Sequence, residues 1–273
     1  MVDTAVQGQY ASVNGLEMYY EIHGEGRPLV LLHGAYMTID SFGDLLPALA
    51  SDRQVIAVEL QGHGRTADVD RPITYEGMAD DVATLIRELG LSEVDVYGYS
   101  MGGGVALQLA IRHPELLRKL VVVSAGHTYD VMPAELAAMF ETITPEMFAG
   151  SPFETAYKEV APNPDDFPRL VEKLKQLDLT HFDWTEQVRG ITAPVLVVVG
   201  DADIVQLEYA VEMFKLLGGG VVGDMAPLPA SQLAILPGTS HLGMMERTGL
   251  LAPIARAFLD APLPDASEQP ATD

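Results

Sequence analysis

The chain has 273 residues, 48% of them hydrophobic, which is enough for one large core. It has no cysteine, which excludes disulfides, thiolate chemistry and cysteine-ligated metals and fits a reducing, cytoplasmic setting. A formal charge of −23, from 39 acidic against 16 basic side chains, repels nucleic acid and acidic membranes and favours a neutral or cationic ligand.

Met1-Val2-Asp3-Thr4 lacks the basic-then-apolar pattern of a signal peptide, and no apolar run approaches the roughly 20 residues of a membrane span. Ala11 to Ile22 reads as a two-strand hairpin around Asn14-Gly15, a favoured turn dipeptide. Leu29 to Leu32 is wholly apolar, as expected of a strand buried on both faces. A helical pattern over Ile39 to Ala50 follows, then a strand over Gln54 to Glu59 and an amphipathic helix over Tyr75 to Leu89. Glu93 to Tyr97 reads as a strand and Met101 to about Ile111 as a helix. Leu120 to Val123, Val195 to Val199 and Leu233 to Leu236 are further buried strands, and helices lie between and after them, ending near Leu259. Strands alternating with helices predict an α/β fold, a mostly parallel sheet covered on both sides, in one domain with an insertion.

Two stretches break the rhythm. About 70 residues separate Val123 from Val195, far more than a strand-to-helix connection requires. Helical patterns over Glu135 to Thr142 and Phe167 to Leu177 lie in it, interrupted by Pro133, Pro145, Pro152, Pro162, Pro164 and Pro168. This predicts a helical cap, 127–190, over the carboxyl edge of a core built from 1–126 and 191–261. The second break, Gly218 to Ser231, leads into the amino end of the last strand. Ligands collect at the carboxyl ends of an open parallel sheet, so this loop is expected to be structural or an oligomer contact. A homodimer, if one forms, would use the cap or this loop. The polar, acidic tail 262–273 is expected to be disordered.

The most informative segment is Val96-Tyr97-Gly98-Tyr99-Ser100-Met101-Gly102-Gly103-Gly104. It is Gly-x-Ser-x-Gly between an apolar strand and a helix. A sharp turn there holds the serine oxygen clear of the backbone, at a helix N-terminus whose free amides face a reacting oxygen. A serine hydroxyl at neutral pH needs a base, a group that orients the base, and donors for an oxyanion. His241, in Pro237-Gly238-Thr239-Ser240-His241 after the last strand, supplies an imidazole whose ordinary pKa lies near neutrality. Asp203, just past another strand, can accept its Nδ1 proton. The expected oxyanion donors are the backbone amides of Met101 and of Ala35, in His33-Gly34-Ala35-Tyr36.

With these residues in place the chain resembles the α/β-hydrolase fold superfamily, of the carboxylesterase, lactonase and non-haem haloperoxidase type. The resemblance covers nearly all of residues 10–260. It rests on His33-Gly34, Gly62-His63-Gly64, Gly98-Tyr99-Ser100-Met101-Gly102-Gly103, Gly200-x-x-Asp203 and Gly238-Thr239-Ser240-His241, in the family's order and spacing. It implies an eight-stranded, mainly parallel sheet with a cap after strand six, and a Ser100–His241–Asp203 triad. Some members take the acid from just after strand six, where this chain has Ser124-Ala125-Gly126 and no carboxylate. The family often has Asp-x-Arg before Gly-His-Gly; here Glu59-Leu60-Gln61 removes the arginine of the usual local ion pair. Tyr36 stands where perhydrolase-like members often carry tryptophan.

The remaining residues read more blandly. Asp201 competes with Asp203 but suits a turn or cap. His63 suits a structural turn, His33 an organiser of the oxyanion loop, His113 a helix end and His23 the surface. His127, Tyr129, Met132, Met139, Phe140 and Trp184 lie in or at the start of the cap, where each packs the cap onto the sheet or lines the pocket. Tyr36, Met37 and Leu242 lie on sheet-end loops and are expected to line it. The methionines and aromatics suggest an apolar acyl or alcohol pocket. No lysine followed by serine or threonine completes a nucleotide loop after Gly98 to Gly104, no His-Glu-x-x-His or acidic metal cluster is present, and no cofactor is expected. The expectation is a serine hydrolase acting on a small apolar ester or lactone, with no nucleic-acid or membrane partner. The same constellation serves perhydrolysis, C–C bond hydrolysis and cyanohydrin cleavage. An aspartate-nucleophile dehalogenase or epoxide hydrolase is disfavoured by the serine at 100. A small-ligand receptor without turnover is the rival of another class.

Overall fold

A computed structural model describes residues 8–263; most of the tail expected to be disordered lies outside the described residues. The chain enters through a hairpin of β1 (Gln9–Val13) and β2 (Leu16–His23). Asn14 and Gly15, at φ 48° and 82°, make the two-residue turn whose twist matches that of the strands. There follow β3 (Arg27–Leu32), α1 (Leu45–Ala50), β4 (Arg53–Val58), α2 (Tyr75–Glu88), β5 (Val94–Tyr99), α3 (Met101–Arg112) and β6 (Leu117–Val123). The eight strands, completed by β7 (Val195–Ala202) and β8 (Gln232–Ser240), lie in the order β1-β2-β4-β3-β5-β6-β7-β8. β2 runs antiparallel to both its neighbours, and the other pairings are parallel.

The apolar strands are apolar on both faces because both faces are covered. Val30, Leu32, Val96 and Val122 pack with Val82, Ile86, Val105 and Leu109 of α2 and α3. Leu29, Leu31, Tyr97 and Val121 face the other way, onto Leu45 and Leu49 of α1 and Ala255 and Phe258 of the last helix. Strand period two sends neighbours to opposite layers.

The single helix expected over Ile39 to Ala50 is two pieces. A 3-10 turn at Ile39–Phe42 stops at Gly43, whose φ of 46° no helix continues, and α1 starts two residues later. β5, β7 and β8 run past their apolar stretches, because polar end residues still pair: Ala202 is in register with Ser240. Ser100, Asp203 and His241 each directly follow one of these extensions.

The insertion after β6 folds as α4 (Ala134–Phe140), α5 (Pro152–Val160), α6 (Phe167–Asp178) and α7 (Thr185–Arg189). α5 lies outside the two helical patterns expected in the insertion; Ser151 caps it by accepting from the Glu154 amide (3.2 Å) and Pro152 opens it. The two ends of the insertion are tied by amide-to-carbonyl bonds from Tyr129 to Phe182 (2.9 Å) and from Trp184 to His127 (2.8 Å). α6 buries Phe167, Leu170, Val171, Leu174 and Leu177, the stripe its 3.6-residue period predicts. After β7 come α8 (Leu207–Leu216), the Gly218 to Ser231 loop, β8 and α9 (Thr248–Asp260). The loop has no helix or strand and exposes Val222, Met225 and Leu228.

Candidate active site

Ser100 follows the last residue of β5 and precedes the first of α3, at φ 53° and ψ −119°. So sharp a reversal brings backbone against backbone. A Cβ on Gly98 would lie 2.2 Å from the Gly102 carbonyl oxygen, and one on Gly102 would lie 2.3 Å from that of Leu32. Both positions therefore require glycine. The turn is held by the Ser100 amide donating to Val123 (2.8 Å) and the Gly103 amide donating to Ser100 (2.8 Å).

Three segments distant in sequence converge here. The Ser100 hydroxyl lies 2.9 Å from His241 Nε2. His241 Nδ1 lies 2.7 Å from Asp203 Oδ1. The Tyr99 hydroxyl donates to the His241 carbonyl (2.8 Å) and fixes its backbone. Burial alone would raise the Asp203 carboxyl, but bonds from His241, from the Ser124 hydroxyl (2.5 Å) and from the Gly200 amide (3.2 Å) hold it below the usual carboxylate range. A carboxylate fixed in this way keeps the proton on His241 Nδ1 and leaves Nε2 free to accept from the serine. Asp201 is elsewhere: its carboxylate is exposed and accepts from the Thr239 amide at 3.0 Å. Ser124 was passed over in the sequence as the place of a missing carboxylate. It has φ 53° and supports the carboxylate that comes from β7. Its signal is a hydroxyl directly after an apolar strand that neighbours β5.

The Ala35 and Met101 amides have no hydrogen-bond acceptor among the described residues, and both residues line the cavity that Ser100 faces. The loop bearing Ala35 is set by His33. The Leu60 amide donates to His33 Nε2 (3.1 Å), so Nδ1 carries the proton and donates to the Gly34 carbonyl (2.8 Å). Burial pushes the His33 pKa down to about 4, so it stays neutral. His63, its ring 4.9 Å from that of His33, is pushed down to about 3 by burial and by its neighbour. His113 bonds Asp80 at 2.7 Å, and His23, partly buried rather than at the surface, bonds Glu21 at 2.8 Å. The ion pair that Glu59-Leu60-Gln61 lacks locally is made with Arg65 (2.7 Å).

The cavity is about 290 Å³, near the lower end of small-ligand sites. Tyr36, Met37, Tyr129, Met132, Phe140 and Leu242 are in its wall, as the sequence suggested. His127, Met139 and Trp184 are not. His127 is buried at the base of the cap, 4.0 Å from Glu212. Met139 points to solvent from α4, at 59% exposure. Trp184 is buried and stacks on Phe182 (4.1 Å between centroids), which is itself in the cavity wall. Tyr75, Phe148, Phe153, Asp178 and Phe182 also line the cavity and were not anticipated. Phe148, Phe153 and Phe182 are apolar residues of the insertion like those buried in its core, such as Phe167, so residue type alone does not separate a wall residue from a core residue. Among the described residues no group of three His, Cys, Asp or Glu side chains is arranged to hold a metal ion, and no helix is long and apolar enough to cross a membrane.

Residues 27–180 match the family model described as alpha/beta hydrolase fold. A soluble epoxide hydrolase from Corynebacterium sp. (strain C12) is 32% identical over 191 residues, which is 66% of this chain and 60% of that protein. The matched region thus spans less than two thirds of that relative's length. A serine hydrolase involved in carbazole degradation superposes with a TM-score of 0.73 at 25% identity, covering 93% of this chain and 99% of that one. The meta-cleavage product hydrolase from Pseudomonas fluorescens IP01 superposes with a TM-score of 0.74 at 19% identity, over 93% and 97% of the two chains, and shares the fold.

Proposed function

We propose that this chain, which belongs to the α/β-hydrolase fold family, is a serine hydrolase that cleaves a carboxylic ester or lactone through an acyl-enzyme on Ser100. The observation that carries the reading is the hydrogen-bonded line from Ser100 to His241 to Asp203, at 2.9 Å and 2.7 Å, opening on an apolar cavity.

In this mechanism His241 Nε2 takes the hydroxyl proton as Ser100 Oγ bonds to the substrate carbonyl carbon. The carbonyl π electrons move onto oxygen, and the Ala35 and Met101 amides hold that oxyanion. Asp203 stabilises the imidazolium that forms. The tetrahedral adduct collapses, the bond to the alkoxy oxygen breaks, and His241 gives its proton to that oxygen. Water then repeats the sequence on the acyl-enzyme, with His241 first as base and then as acid, and the carboxylic acid leaves.

The epoxide hydrolase relative does not redirect this reading. Serine opening an epoxide would leave an ether, which has no carbonyl for water to attack. Serine acylation leaves an ester, which has one.

A panel of aryl esters of rising chain length together with several lactones tests the proposal, native against Ser100→Ala. The expected result is a loss of at least ~10⁴-fold in kcat for every substrate that the native chain turns over. Full turnover by Ser100→Ala would overturn it.

A further inference from the structure

Among the described residues Asp178 is the one acidic residue that lines the cavity, and it has no evident structural duty. It is the last residue of α6, where the negative end of the helix dipole disfavours a carboxylate. Among the described residues its side chain makes no ion pair and no hydrogen bond. The basic residue of the same turn, Lys175, donates instead to the Ile143 carbonyl at 2.9 Å. Burial pushes the Asp178 carboxyl up to about 7. Replacement by a hydrophobic residue would relieve all of this, so an unpaired acid kept here is a cost to the fold.

Its neighbours are aromatic. Tyr36, Tyr75, Phe148 and Phe182 line the same cavity. Tyr36 and Phe148 lie 4.6 Å apart, and Tyr75 and Phe182 lie 5.6 Å apart, between ring centroids. Burial raises the phenols of both Tyr36 and Tyr75, and the Asp178 charge adds to the rise in each, so both lie within its field. The Tyr36 hydroxyl is buried and has no partner. Aromatic faces around an unpaired carboxylate suit a positively charged nitrogen: the ring quadrupoles and the carboxylate together replace its hydration. The net charge of −23 draws cations toward the molecule.

We propose that Asp178, framed by Tyr36, Tyr75, Phe148 and Phe182, is a specificity subsite for a cationic nitrogen carried by the substrate. This rests on the hydrolase reading of Ser100, since it assigns the substrate of that site. The cation stabilises the ionised carboxylate, and the carboxylate orients the substrate relative to Ser100. A neutral ester of the same shape gains neither.

Matched pairs of esters test this at pH 8. One pair is choline butanoate and the ester with carbon in place of its quaternary nitrogen. The other is ethyl trimethylammonio-butanoate and its carbon isostere, which moves the charge to the acyl side. The native chain is expected to prefer the cation at least tenfold in kcat/KM in one pair, and Asp178→Asn is expected to bring that ratio to about one. A native ratio below about three in both pairs, or a preference that survives Asp178→Asn, overturns the proposal; the native ratio decides alone if the variant does not fold. Binding of the same pairs to Ser100→Ala by calorimetry separates the two readings. If the native chain hydrolyses none of these esters and none of the aryl esters and lactones of the panel, the hydrolase reading fails, and the ratio of dissociation constants still decides the subsite.

Discussion

Replacing Asp178 by Asn should make the protein more stable, and increasingly so as pH rises. The carboxyl has an ordinary pKa of 3.8 and is pushed up to about 7 by burial in the cavity wall. Between those values the folded chain holds a proton that the unfolded chain has lost. Stability contributed by this group is therefore complete below 3.8 and is lost as pH rises through about 7. The interval is about three pH units, each worth about 1.4 kcal/mol, which gives a ceiling of about 4 kcal/mol. Water in the cavity screens the charge and lowers that figure. Asparagine keeps the shape and stays neutral throughout. Urea unfolding of both proteins at intervals from pH 4 to pH 8 gives the difference directly. Other carboxyls with perturbed pKa values, such as Asp203, cancel in the subtraction because both proteins contain them. The expected result is a gap that opens with pH and exceeds 1 kcal/mol at pH 8. A gap flat within about 0.5 kcal/mol, or one that closes as pH rises, would refute the claim that this half-buried carboxyl is desolvated in the cavity wall without a partner.

Two further perturbations probe the supports of the site. Ser124→Ala removes a donor 2.5 Å from Asp203 Oδ2. Hydrogen bonds to charged groups contribute about 1.5–3 kcal/mol, so kcat should fall about ten- to hundredfold with little change in KM. The acid limb of the pH–rate profile should move to higher pH, because the lost bond favoured the ionised carboxylate; an unmoved limb with native kcat would count against that role. Arg65→Met strands the fully buried Glu59 carboxylate and should cost about 3–5 kcal/mol in chemical denaturation. Adding Glu59→Gln should recover part of that, and a loss below 1 kcal/mol for the single variant would show that the pair does not matter.

Fold and triad were legible for different reasons. Leu29 to Leu32 and Leu120 to Val123 read as two-faced strands because a short, wholly apolar run is what a strand covered on both faces requires, and that is where they lie. Ser100, Asp203 and His241 stood out because each is a polar residue two or three positions from a glycine, just past such a strand, and the structure brings the three within hydrogen-bond distance. The cavity wall was only half legible. Met139 and Phe140 are adjacent in α4, yet Phe140 lines the cavity and Met139 faces solvent; helix rotation decides that, and the proline-broken pattern leaves the phase of a seven-residue helix undetermined. Asp178 escaped notice because an acid at the end of an amphipathic helix reads as solvated until the loops packed around it are known.

Backbone strain in this chain is concentrated where the chemistry would occur. Among the described residues the non-glycine positions with positive φ are Asn14, Tyr36, Glu93, Ser100 and Ser124. Three of these, Tyr36, Ser100 and Ser124, line the same cavity, and they follow the carboxyl ends of β3, β5 and β6, which are adjacent in the sheet. Each such residue costs about 1–3 kcal/mol and persists only where its surroundings fix it. The fixing is visible: strands paired in parallel register run up to each turn, and the amides of Ser100 and Ser124 donate to the carbonyls of Val123 and Val198, at 2.8 Å each. The turns at Ser100 and Ser124 are thus each tied to the strand beside them, and the turn at Tyr36 is closed locally by the Met37 amide donating to the Gly34 carbonyl at 3.3 Å. A relaxed turn at any one of them would swing a side chain out of the cavity wall, so the two-layer core supports the geometry of the hydroxyl, the oxyanion loop and the carboxylate together.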